Sequence, residues 1–277
     1  MPELPEVETV ARTLDQLLRG KTIVRAQLIR ALLAPQNPSR QFARLLKNAR
    51  IESVDRRGKH ILFMLDNGRV LIVHLRMSGR FVLLLSRAPL PKFSHAIFHL
   101  DDGRRLVFAD QRHFGFMKVV SLDQLFDAKE LSKLAPEPFG EEFSVDYLYS
   151  ILRRSRRAIK ETLLDQTKIT GLGNIYAAEA LFQAKIHPSK ISATLSRKRV
   201  PLLHKAIRDV LREAIARIST LEIDMENIDG SYFNDSNDER WRVYDREGEL
   251  CVDCGTVIRR IKHAGRSTFF CPRCQQR

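Results

Sequence analysis

The sequence predicts an α+β chain of two domains, with a β-rich first half, a helical second half and a cysteine-bearing hairpin at its end. Three observations carry this. Up to about residue 120, runs of branched and aromatic residues alternate with Asx-Gly turns. From about residue 145, apolar residues recur at three- and four-residue spacing. All four cysteines fall in the last 27 residues, as two Cys-x2-Cys pairs. A chain of 277 residues holds two ordinary domains, and 44% hydrophobic with 29% charged residues excludes a disordered polymer.

The elements follow in order. Val7, Val10, Ala11, Leu14, Leu17 and Leu18 keep helical spacing, Pro5 suits a first turn, and Gly20 closes the run. KTIVRAQLI, HILFML and RVLIVHLRM read as strands, the last two joined by Asp66-Asn67-Gly68. HAIFHL and RRLVFAD flank a second turn, Asp101-Asp102-Gly103. Many short strands with such turns predict a β-sandwich or barrel over residues 1–134. APEPFGEEF, with Pro136 and Pro138, reads as a linker over 135–144.

Residues 145–225 are expected to be helical. DYLYSILRRSRRAIKETLLDQ gives one or two basic helices, TKITGLGN a glycine turn, and IYAAEALFQAKI a further helix. Helix, glycine turn, helix is a general shape of nucleic-acid binders. A long helix starts at Pro201, with Leu203, Ile207, Val210, Leu211 and Ile218 on its core stripe. Residues 226–242 hold the polar stretch GSYFNDSNDERW, a loop of a length that usually serves function. Residues 243–277 form the terminal hairpin.

Charge narrows the partner. The net charge is +14, with 47 Lys and Arg against 33 Asp and Glu. Residues 1–120 carry +11 and 151–220 carry +10, separated by an acidic stretch of −5. Two basic blocks of this kind suit a polyanion, most simply nucleic acid. No apolar run approaches the roughly 18 residues that span a bilayer. The first residues lack the pattern of a secretion signal. We therefore expect a cytoplasmic protein whose thiols stay reduced.

Three motifs carry chemistry. Cys251-x2-Cys254 and Cys271-x2-Cys274, sixteen residues apart, fit a closed tetrahedral zinc site. VIRRIKHAGRSTFF between them alternates as a β-hairpin, so a zinc ribbon is expected, with one structural Zn2+ and no organic cofactor. Gly171-Leu172-Gly173-Asn174 brings backbone close to a partner, with Asn174 as a candidate N-cap and free N–H groups for a phosphate. A plain helix–helix turn has the same pattern. MPELPEVETV is acidic at the start of a basic chain. Once Met1 leaves, Pro2 is a terminal amine with a pKa of roughly 7.7–8.0, against about 10.4 for lysine. Such an amine can attack a sugar aldehyde carbon, with Glu3 beside it to move a proton. Taken alone, Pro2 and Glu3 also read as helix-start residues.

Together these residues resemble the formamidopyrimidine-DNA glycosylase family of bacterial base-excision repair. The matches are PELPEVE, GKHI around Lys59, HLRMSG from His74, DQRHFG from Asp110, IKETLLDQ, GLGNIYAAEAL and AGRSTFFCPRC, in family order over nearly the whole chain. The resemblance implies a β-sandwich for the first domain, a helix-two-turn-helix domain and a monomeric bifunctional enzyme on double-stranded DNA. Such an enzyme excises 8-oxoguanine and formamidopyrimidines and nicks the strand by β,δ-elimination. It implies that Pro2 is the nucleophile, Glu3 the acid assisting ring opening, and Glu6 a supporting carboxylate. Lys59 would donate a proton in β-elimination, and Arg266 would grip the lesion phosphate for δ-elimination. Met77, Arg112 and Phe114 would fill the gap left by the everted nucleotide. His74, His95, Arg156, Lys160, Asn174 and Tyr176 would contact DNA, and Ser231 and Tyr232 would cap the flipped base. His113 stands where another basic residue is usual.

Two other readings stay open at this stage. One is the related endonuclease VIII type, acting on oxidised pyrimidines. The other is a non-catalytic, zinc-dependent damage sensor.

Overall fold

A computed structural model describes residues 1–220, 224–229 and 241–276. The chain divides into two compact units: Met1–Ser132 with Ile215–Asn234, and Lys133–Ala214 with Asp235–Arg277.

The first unit is a β-sandwich with a helix along it. Helix α1 (Leu4–Leu18) buries Val7, Val10, Leu14 and Leu18, the stripe its spacing predicts. Each fully buried leucine contributes about 1.5–3 kcal/mol. β1 (Thr22–Leu28), α2 (Ser39–Leu46) and β2 (Ala49–Arg57) follow. β3 (His60–Leu65) and β4 (Arg69–His74) close on the predicted turn, with Gly68 at φ +71°. β5 (Gly79–Leu84), β6 (Ser94–Leu100), β7 (Arg105–Asp110) and β8 (Phe116–Ser121) complete the main strands, and Gly103 turns β6 into β7 at φ +84°. Both glycines occupy left-handed backbone that a Cβ disfavours.

The antiparallel order is β8-β4-β3-β2-β1-β6-β7-β5, ending in a short strand at Ile228–Asp229. β1 meets β2 at only two residue pairs, and β2 bulges between Ile51 and Ser53. A sheet so weakly joined bends there into two layers. Phe63 of one layer meets Phe81 of the other at 5.7 Å between ring centres.

The second unit is helical. α3 (Val145–Arg153) starts at Ser144, whose hydroxyl accepts from Tyr147 N–H, and α4 (Ile159–Leu164) follows, so the basic segment forms two helices. α5 (Asn174–Gln183) and α6 (Val200–Ile218) come next. With the two-residue strand at 228–229 as β9, the terminal hairpin is β10 (Arg259–His263) and β11 (Arg266–Phe270). Residues 135–144 do not span freely as a linker. Ala135 N–H donates to Gln166 O, and Phe143 is buried and stacked on His204 at 5.0 Å. Apolar residues within the proline stretch pull it onto the helices.

Candidate active site and nucleic-acid interface

Glu3 occupies the N-cap of α1 and Glu6 its third helical position, forming a reciprocal capping box. Glu3 N–H donates to Glu6 Oε2 at 2.6 Å, and both carboxylates are buried. Two acids inside a basic protein are held by the orphan donors of a helix start. The helix-start reading of MPELPE is therefore correct as local structure. It also fixes the backbone on which Pro2 rides, with Met1 half exposed ahead of it.

Lys59 lies in the two-residue turn between β2 and β3, after Gly58 at φ +59°. Arg56 ties that turn to α1. Its Nε donates to Glu8 Oε2 at 2.7 Å and its Nη1 to Gly58 O at 2.9 Å. A largely buried pair of this kind orients more than it stabilises. The link joins residues 48 apart, a separation that no local pattern encodes.

His60 and His74 pack edge to face at 4.7 Å beneath this turn. Burial, with Arg76 next, lowers His60 to about 4. Burial, then His60, Arg76 and Lys59, lowers His74 to about 2. Both imidazoles are neutral at pH 7, and His74 Nδ1 accepts from Arg76 N–H at 3.0 Å. His74 thus shapes the turn before Met77 through its Nδ1. Below pH 6.5 the unfolded chain binds protons that these buried rings refuse, so stability falls as pH drops. Each ring is expected to contribute a slope of about 1.2 kcal/mol per pH unit between pH 6 and 5. Denaturant melts of wild type and His74→Asn check this; the variant should show the shallower pH dependence.

Met77 and Phe114 are 47% and 55% exposed. Apolar side chains at such spacing are usually core, so their position on protruding loops is informative. Arg112 lies over the Phe114 ring at 5.3 Å. Both loops press on Phe108: a Cβ at Gly79 or Gly115 would lie 2.7 Å from its ring. His95 is buried, its Nε2 2.9 Å from Asp110 O and 2.9 Å from Nδ1 of the exposed His113.

In the second unit Gly173, not Asn174, is the N-cap of α5. Asn174 is the first helical residue and its Nδ2 donates to Ser267 O at 3.0 Å. Lys160 is fully buried and donates to Ser267 O at 3.2 Å and Thr268 Oγ1 at 2.8 Å. Both side chains brace the hairpin directly beside the exposed Arg266. Tyr176 is buried with Trp241 edge-on at 5.6 Å. Gln166 holds the glycine turn, accepting from Gly171 N–H at 2.9 Å and donating to Leu172 O at 2.8 Å. Its signal was the LLDQ motif, but its role depends on contacts made across the turn. Arg156 is exposed in the α3–α4 turn, at a depression of about 230 Å³ shared with Arg154, Arg157 and Lys168. Ser231 and Tyr232 lie outside the described residues.

The four cysteines are unpaired by disulfides, and their sulfurs lie within 4.8 Å of one another. Cys251 and Cys274 Sγ are 3.9 Å apart, and Cys254 and Cys271 Sγ 3.5 Å. Four Zn–S bonds of about 2.3 Å in a tetrahedron require edges of about 3.8 Å. The donor set fits one zinc ion and leaves it no open position, so the metal's work is structural.

Comparison with known proteins agrees across the chain. Residues 1–117 match the formamidopyrimidine-DNA glycosylase N-terminal domain, 134–224 its H2TH domain, and 248–277 the zinc finger found in FPG and IleRS. Formamidopyrimidine-DNA glycosylase of Bacillus subtilis is 42% identical over 99% of both chains. A solved complex of Lactococcus lactis Fpg with abasic-site DNA is 36% identical, with TM-score 0.90, over 99% of this chain and 100% of that one. Another complex of the Lactococcus lactis protein, with N7-benzyl-Fapy-dG DNA, has the same identity and TM-score over the whole of both chains.

Proposed function

Starting from the chain's membership of the formamidopyrimidine-DNA glycosylase family, a family of DNA-repair enzymes that bind DNA and carry a zinc finger, we propose that it is a bifunctional oxidised-purine glycosylase and abasic-site lyase. The observation that carries this is the buried Glu3–Glu6 capping box behind Pro2, on the helix to which Arg56 ties the Lys59 turn. The neutral Pro2 amine attacks the sugar C1′. The base leaves with a proton, and Glu3 protonates the ring oxygen as the sugar opens to an iminium. The iminium acidifies C2′; as that proton passes to solvent water the C3′–O bond breaks and the 3′ phosphate leaves, taking a proton from Lys59. A second elimination expels the 5′ phosphate, with Arg266 on the lesion phosphate. Hydrolysis then frees Pro2. The chemistry needs Met1 removed.

Met77, Arg112 and Phe114 fill the space of the extruded nucleotide in this reading. Their exposure supports it, because an apolar wedge has to stand clear of the core. The Arg156 depression and the start of α5 take phosphates, and Lys160, Asn174 and Tyr176 act by bracing the ribbon and the end of the capping loop. In this reading the protein works as a monomer in the cytoplasm, on DNA.

The test is excision from duplexes holding 8-oxoguanine opposite cytosine or thymine glycol opposite adenine. Faster excision and borohydride trapping on 8-oxoguanine is expected. Preference for thymine glycol would place the chain with the endonuclease VIII type, and binding without cleavage would make it a sensor. Binding should also weaken with salt. With roughly six phosphates neutralised, log K is expected to fall against log salt with a slope of about −5. Fluorescence anisotropy from low to physiological salt measures it, and a flat response contradicts the basic interface.

A further inference from the structure

We infer that Asp110 is a positioning residue that locks the Met77 loop and the Arg112–Phe114 loop into one inserting unit. The inference rests on the proposal that these three side chains enter the duplex. Asp110 ends β7 and is 1% exposed. One carboxylate oxygen accepts from Ser78 Oγ at 2.5 Å and Arg112 N–H at 3.1 Å; the other accepts from Gly115 N–H at 2.6 Å. Arg112 N–H is shared with Ser78 Oγ at 3.0 Å. The backbone N–H of Asp110 donates to Phe93 O at 3.0 Å, and the carbonyl of Asp110 accepts from His113 N–H at 3.3 Å and faces His95 Nε2 at 2.9 Å.

A single buried carboxylate therefore grips the residue after Met77, the backbone of Arg112 and the residue after Phe114. These are the positions flanking the three protruding side chains. Met77 and Phe114 stand half exposed, so backbone anchors have to set where their tips point. Charge-assisted bonds in a buried site suit this, because they are short and directional. Asparagine is a poor substitute: its amide would turn a donor toward either the Arg112 or the Gly115 N–H. A loosened wedge transmits less of its binding to the stacked base, so base extrusion is the step that depends on Asp110. An abasic site has no base to unstack and makes a smaller demand.

Asp110→Asn and Ser78→Ala in the full-length, zinc-loaded protein test this under single-turnover conditions. Excision from an 8-oxoguanine duplex is compared with nicking of a preformed abasic duplex. The ratio of excision to nicking is expected to fall about tenfold or more in Asp110→Asn and less in Ser78→Ala, as small misplacements of positioned groups do. The fluorescence rise of a 2-aminopurine placed beside the lesion should slow by the same factor. Equal losses on both duplexes, or no loss on either, would overturn the inference. If Asp110→Asn does not fold, Ser78→Ala decides alone, since it removes one hydroxyl. A wild-type protein inactive on 8-oxoguanine would refute the functional proposal instead.

Discussion

Pro2→Gly is expected to reduce borohydride trapping on an 8-oxoguanine duplex by about a hundredfold or more, which is about 3 kcal/mol at the transition state. The fold should survive, because α1 begins at Leu4 and its capping box uses Glu3 and Glu6. Glycine still offers a terminal amine. That amine is primary, and its backbone is freer than the ring-locked proline, so near-attack geometry is populated less. Circular dichroism and anisotropy on abasic DNA separate the outcomes. Folding and binding are expected to stay near wild type while trapping collapses. Unimpaired trapping would mean that another amine is the nucleophile.

Removing zinc, by chelation or by Cys271→Ser, is expected to weaken DNA binding by about a hundredfold or more while the sandwich stays folded. The hairpin has two five-residue strands and shares a small core of Val243, Ile258, Phe269, Cys251 and Cys271 with Ala178 and Phe182 of α5. A two-stranded hairpin of that size is marginal without its metal. With it go the placement of Arg266 and the Ser267 carbonyl that Lys160 and Asn174 hold. The sandwich keeps its own core, in which α1 packs on both layers. Metal analysis, anisotropy and the β signal in circular dichroism check this together. Retained binding after zinc loss would remove the ribbon from the interface.

The parts legible in the sequence are those whose signal is local. The α1 stripe, the turns at Gly68 and Gly103, the hairpin strands and the cysteine quartet each rest on residues close in the chain. α2 and β2 are short, charged segments that become helix or strand only through neighbours, while β5 (GRFVLL) and β8 (FMKVVS) are apolar runs too short for periodicity to assign. β2 reads ARIESVDRR, yet Ala49, Ile51 and Val54 are buried in it. The site divides in the same way. Pro2, Glu3, Lys59 and the cysteines stand out by type and motif. Arg56, Asp110 and Gln166 act by bonding to distant backbone or side chains, which no spacing encodes. Lys160 and Asn174 look like surface donors in sequence, but the ribbon covers one and engages the other. The Ser267 carbonyl that both side chains hold lies more than 90 positions away from either.

In the proposed mechanism the nitrogen of Pro2 forms the covalent bond to the sugar. Reducing the enzyme–DNA intermediate with borohydride, digesting both polymers and sequencing the modified peptide by mass spectrometry tests it directly. The expected peptide begins PELPEVETVAR, lacks Met1 and carries the sugar remnant on Pro2. A remnant on Lys59 or any other lysine, or an adduct on a chain that keeps Met1, would contradict it.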